Sequence, residues 1–294
     1  MAKLKGTGTA LVTPFKRNGT IDERSLRALV DWQIKSKVEF LVPCGSTGES
    51  ATMTREERRR VIEIVVDQNA GRIPVIAGTG TNSTLDSLDL THDAKEVGAD
   101  AVLLVGPYYN KPTQEGFYQH FKRIVEECNV KAVLYNVPGR TASNMLAETT
   151  LRIAEDVENV IAIKEASNNL EQIMQIIKYR PKDFAVLSGE DSLTLPIITA
   201  GGDGVISVIS NEVPKEYSDM TRATLNGDLK KAQELHYRLF ELMKANFLES
   251  NPIPVKTALN MMGMMEDTLR LPLTKISKQN REKLKKVLKD LKLI

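Results

Sequence analysis

An α/β fold, a (β/α)8 TIM barrel followed by a C-terminal helical region, is what the sequence predicts. Three observations carry this. Eight short β-branched apolar runs occur in order, stretches rich in Glu, Lys, Arg, Leu and Ala separate them, and only helical pattern follows the eighth. Strands alternating with helices imply βαβ units and a parallel sheet. Near-continuous apolar strands fit a sheet covered on both faces. Eight units favour closure, and no GxGxxG follows the first strand, so the fingerprint of an open dinucleotide-binding sheet is missing.

The strands are expected at residues 9–13, 40–42, 74–77, 101–105, 132–135, 160–164, 184–187 and 205–208. Thr54-Arg55-Glu56-Glu57 reads as a capping box that opens a helix, Gly71 closes it, and Ile62, Val65 and Val66 give it an apolar stripe. The barrel domain is expected over residues 1–224 and the helical region over 225–294. In the latter, Leu284, Val287, Leu288 and Leu291 fall at i, i+3, i+4 and i+7 on a lysine-rich helix. That spacing describes a face packed on the barrel with solvated lysines, rather than a basic binding helix. The methionines at 261, 262, 264 and 265 read as core filler.

Composition excludes several classes. The 294 residues are 41% hydrophobic and 27% charged, with a net charge of only +2, which gives no reason to expect nucleic acid or an acidic membrane as partner. Cys44 and Cys128 are too few for a disulfide framework, and His92, His120 and His236 match no zinc spacing. The start of the chain lacks the apolar run of a signal peptide or membrane span, so a cytoplasmic protein is expected.

In such a barrel the active site forms at the C-terminal ends of the strands. Lys164 stands out there, because it ends the run Val160-Ile161-Ala162-Ile163. Alternation puts Val160, Ala162 and Lys164 on one face, with Ala162 leaving room below an amine. Lysine is almost never fully buried without a purpose. A salt bridge or a snorkelling side chain is the bland alternative. A nucleophilic amine must be neutral, and an unperturbed lysine is so only about once in a few thousand molecules at pH 7. A dry barrel mouth raises that fraction by desolvation. The Gly45-Ser46-Thr47-Gly48 loop offers backbone N–H groups and hydroxyls suited to a carboxylate, or is merely a tight turn. Tyr135 shares a face with Val133 and is either a proton relay or a cap on the core. Arg140 is either a carboxylate clamp or a surface turn residue.

These residues fall within motifs with a family resemblance: GSTGES at 45–50, PYYNKPTQEG at 107–116, YNVPGRT at 135–141, IKEA at 163–166, SGED at 188–191, GGDGVISV at 201–208 and NPIPVK at 251–256. In order and spacing the chain resembles the dihydrodipicolinate synthase family, also called 4-hydroxy-tetrahydrodipicolinate synthase, over nearly its whole length. The resemblance implies a class I aldolase-type lyase. It condenses pyruvate with aspartate semialdehyde at the start of the diaminopimelate route to lysine, needs no metal or organic cofactor, and works as a homotetramer of tight dimers. It makes Lys164 the Schiff-base residue and Tyr135 the acid/base. Ser46 and a subunit-crossing Tyr109 complete the relay. Thr47, the Ile206 main chain and Gly189 bind substrate, and Arg140 attracts the semialdehyde carboxylate. Ser46 stands where the family usually has threonine, and a GSTGE loop is typical of sialic-acid lyases. The alternative is therefore a Schiff-base lyase acting on N-acetylneuraminate or a 2-keto-3-deoxy sugar acid. A phosphate-binding isomerase barrel fits less well, because Gly201-Gly202-Asp203-Gly204 precedes the eighth strand instead of following it. A non-catalytic barrel would not need Lys164, Tyr135 and Arg140 together.

Lysine-sensitive members of the family bind lysine in a pocket near the subunit interface. This chain keeps Ser50, Ala51, Asn82 and Tyr108 there but has Arg55 and Arg58 at histidine positions and Asp86 at a glutamate position. Weak or absent feedback inhibition is expected, through repulsion of the lysine ammonium groups by two guanidinium groups.

Overall fold

The computed structural model describes residues 3–294. Its strands are β1 (Gly6–Ala10), β2 (Phe40–Val42), β3 (Ile76–Gly78), β4 (Ala101–Val105), β5 (Ala132–Asn136), β6 (Val160–Glu165), β7 (Ala185–Ser188) and β8 (Gly204–Ser207). All paired strands run parallel, in the order β2-β1-β8-β7-β6-β5-β4-β3. The ends of that order meet through a single parallel bridge, Leu41 to Val75, so the sheet is a barrel closed by a light seam.

Two strand expectations need correction. The first strand lies three residues earlier than the apolar run at 9–13. Its Gly6-Thr7-Gly8 start lacks apolar bulk because there is no room for any: a Cβ on Gly8 would fall 1.9 Å from the Phe40 ring, and one on Gly6 2.6 Å from the Glu39 side chain. The second correction concerns β6. A register shift against β5 pairs Ala132 with Val160 but Val133 with Ala162. Such a bulge breaks alternation. Val160 therefore packs in the outer cluster under the helices, while Ala162 lies in the barrel interior with Val133, Leu187 and Ile206. From Ala162 onward the expected alternation holds, with Ile163 outward and Lys164 inward.

The helix Arg55–Asn69 has the expected capping box and ends with Ala70 and Gly71 both at positive φ. After β8 come the helices Pro214–Leu225, Leu229–Ala245, Ile253–Met261 and Lys278–Asp290. Leu284 and Leu288 are fully buried, with Val287 and Leu291 beside them, as the spacing required. They share one apolar cluster with Val205, Tyr217 and Met220 of the barrel. Met265 is buried in a neighbouring cluster. Among the described residues, no helix is long and apolar enough to cross a membrane.

Candidate active site

Parallel register brings the two central residues together. Tyr135 of β5 is the direct neighbour of Lys164 of β6, whose other neighbour is Leu187 of β7. Both side chains are buried, and the Lys164 ammonium sits 4.4 Å from the centroid of the Tyr135 ring. Val133 and Ala162 lie one layer below them. Small Ala162 leaves the depth that Lys164 occupies.

Burial pulls the Lys164 pKa down to about 8, and the positive charge of Arg140 acts in the same direction; the carboxylates of Asp191 and Glu190 oppose it. Taking a charge out of water favours the neutral form of a base. The same burial pushes the Tyr135 phenol up to about 12, only partly offset by Arg140 and the neighbouring Ser46 side chain. The barrel mouth thus holds a partly neutral amine against a phenol that keeps its proton.

Gly189 follows β7 and gives its N–H to Glu165 O at 2.8 Å. A Cβ there would come within 3.2 Å of Lys164 Cε and 2.6 Å of Ala166 Cβ. Glycine at this position keeps the space around the lysine stem open. Ile206 is buried in β8, in register with Gly8. Thr47 is buried, and its hydroxyl accepts from Asn251 Nδ2 at 2.9 Å. Arg140 rides on the short helix Pro138–Thr141 and donates to Asn251 O at 3.4 Å. Ser46, Arg140, Val137 and Asn251 line a cavity of about 360 Å³ that also reaches Tyr108 and Arg58.

Tyr109 is the one expected site residue that this chain does not bring in. It is 89% exposed, at φ +72°. Three contributors were not singled out from sequence. Asn251 bridges Thr47 and Arg140. Asp191 is buried, accepts from the N–H groups of Val208 and Ile209 at 3.1 and 2.8 Å, and bears on the charge of Lys164. Lys256 is fully buried beneath the GSTGES loop. All three lie inside motifs already quoted, SGED and NPIPVK, so the available signal was membership in a motif without an assigned role.

The dihydrodipicolinate synthetase family model matches residues 3–291. The chain belongs to the dihydrodipicolinate synthetase family. It is 52% identical over 286 residues to the 4-hydroxy-tetrahydrodipicolinate synthase of Koribacter versatilis, covering 97% of this chain and 95% of that one. The crystal structure of dihydrodipicolinate synthase from Aquifex aeolicus matches with a TM-score of 0.97 at 47% identity, covering 99% of each chain. A chloride-inhibited dihydrodipicolinate synthase from Acinetobacter baumannii, complexed with pyruvate, matches at 0.96 and 42% identity, again over 99% of each chain.

One family-based expectation changes its physical basis. Arg55 is not a free charge facing a ligand. Asp93 holds it with two bonds of 2.5 and 2.9 Å, and Asp89 lies 3.3 Å away. Among the described residues, Arg58 makes no ion pair. It lines both the cavity of about 360 Å³, whose wall also holds Ser50, Ala51 and Tyr108, and a smaller one of about 220 Å³ that includes Arg55, Asp86 and Asp89. Arg58 is thus the guanidinium of that smaller cavity that has no carboxylate partner among the described residues.

Proposed function

We propose that this chain is a class I aldolase-type lyase that condenses pyruvate with L-aspartate 4-semialdehyde to 4-hydroxy-tetrahydrodipicolinate, a step of lysine and diaminopimelate biosynthesis. The observation that carries the reading is Lys164, buried at the barrel mouth with its pKa near 8 and stacked against the Tyr135 ring. The synthase name carried by relatives at about half identity supports the same substrates.

The chemistry follows from the geometry. Lys164 Nζ attacks the keto carbon of pyruvate, and Tyr135, still protonated, supplies the proton that lets the carbinol oxygen leave as water. The protonated imine acidifies the methyl group, which passes a proton to the Tyr135 phenolate left by that dehydration and becomes the enamine. The enamine carbon bonds to the aldehyde carbon of the second substrate, whose oxygen takes up a proton from Tyr135. The amine of that substrate then attacks the imine carbon and displaces Lys164, closing the ring. The Ser46–Thr47 loop holds the pyruvate carboxylate, with the Ile206 main chain and Gly189 beside it. Arg140, on the cavity wall, attracts the carboxylate of the semialdehyde. No step needs a metal or an organic cofactor.

Tyr109 completes the relay from a second copy. A tyrosine held at positive φ is disfavoured, and a ring left 89% exposed gains nothing within its own chain. Docking into a partner's site explains both features, in a homotetramer built from tight dimers. The enzyme is expected to act in the cytoplasm.

Pyruvate with borohydride should fix a reduced adduct on the peptide containing Lys164, and Lys164→Ala should abolish it. Labelling that persists in the variant would overturn the mechanism. Turnover of N-acetylneuraminate with none of aspartate semialdehyde would instead establish the lyase alternative, which no observation here favours.

A further inference from the structure

Glu49 and Lys256 form an ion pair that the proposed chemistry does not use. Both side chains are fully buried, and Lys256 Nζ lies 2.5 Å from Glu49 Oε1. The ammonium also donates to Thr13 O at 3.0 Å and stands 4.4 Å from the centroid of the Phe15 ring. The other carboxylate oxygen accepts the Arg270 N–H at 3.2 Å. A buried pair of this kind adds little net stability, because both charges lose their water. Fixing the relative position of distant segments is a better reason for its presence.

The segments it fixes are informative. Glu49 belongs to the GSTGES loop and takes φ +56°, a backbone region that side-chain-bearing residues avoid. Its two loop predecessors are held as well. Gly48 O accepts the Thr13 hydroxyl at 2.7 Å, and Thr47 Oγ1 accepts from Asn251 at 2.9 Å. Residues 47, 48 and 49 are thus each pinned by a buried contact, two of them from the same C-terminal segment.

We infer that the Glu49–Lys256 pair is a positioning device that sets the backbone of the Ser46–Thr47 loop for the pyruvate carboxylate. The inference rests on the carboxylate role proposed for that loop. Glu49 and Lys256 are positioning residues that act through the loop. Loosening them weakens binding that is common to the ground and transition states, so KM for pyruvate rises while kcat holds.

The test uses the full chain carrying E49Q and K256M together, which removes both charges and leaves neither unpaired, and separately the nearly isosteric Thr13→Val. In steady-state synthase assays E49Q/K256M should raise the pyruvate KM about tenfold and Thr13→Val about threefold, with kcat and the semialdehyde KM within about twofold of the parent. A folded double variant with an unchanged pyruvate KM overturns the inference, as does a lower melting temperature with unaltered kinetics. If the double variant does not fold, the single E49Q chain, which keeps the shape of Glu49 and removes its charge, decides by the same pyruvate KM. Failure of the parent chain to trap pyruvate counts against the proposed function itself. A parent that traps pyruvate, with variants whose pyruvate KM does not move, counts against this inference alone.

Discussion

Imine formation should depend on pH with a midpoint near 8, far from that of an ordinary lysine. With the Lys164 pKa at about 8, roughly one molecule in eleven carries a neutral amine at pH 7, against about one in three thousand at the unperturbed value. The gain is about 300-fold in nucleophile, or about 3 kcal/mol. Rapid mixing with pyruvate, followed by quench, reduction and intact mass, gives the adduct rate at each pH. Below the midpoint that rate should climb about tenfold per pH unit, then level off above pH 8. The Tyr135 phenol, pushed up to about 12, keeps its proton throughout, so no descending limb should appear below about pH 10. Two variants test the cause. Arg140 lowers the Lys164 pKa, so Arg140→Ala should move the midpoint up; Asp191 raises it, so Asp191→Asn should move it down. A midpoint near 10.5, or a rate independent of pH, would refute the link between burial and reactivity.

Three further outcomes are expected. Lys164→Met should stabilise the fold at pH 7 by up to about 3 kcal/mol in urea unfolding. Because the folded pKa lies below the unfolded one, the cost of the buried amine is fully present below pH 8, shrinks between about 8 and 10.5, and is gone above; an equal gain at pH 7 and pH 10.5 would contradict this. Tyr109→Phe and Lys164→Ala chains, each impaired alone, should regain activity when mixed under conditions that exchange subunits, and no recovery would remove Tyr109 from the partner's site. Inhibition by lysine should need more than about a millimolar, an affinity near −4 kcal/mol, with Arg58→His strengthening it and Arg55→His having less effect; the reverse ranking would show that the Asp93 pairing does not silence Arg55.

What was legible in the sequence follows from where each residue's cause lies. Strands covered on both faces are written as short apolar runs, so seven of the eight stood close to their place by pattern alone. β1 slipped because its glycines answer to Phe40 and Glu39 on the neighbouring strand, a tertiary demand that looks locally like a loop. Strict alternation puts Val160 on the wrong face because it cannot see a bulge. Lys164 was legible for a local reason: a charge at the end of an apolar run is anomalous wherever it falls. Tyr135 was legible only as one of two readings, until register placed it beside Lys164. Lys256 and Asn251 stand in the NPIPVK motif with no role that sequence assigns, since their partners Glu49 and Thr47 lie 207 and 204 positions away. Burial turns Lys256 into a second lysine without solvent, yet its fate differs from that of Lys164. Burial lowers the pKa of both amines, but Lys256 is bonded to a carboxylate at 2.5 Å that opposes the effect directly, whereas Lys164 faces an aromatic ring and carboxylates that act only through space. In the proposed chemistry these two buried amines serve as anchor and nucleophile, and what separates them is the distance to an acid, which only the folded chain defines.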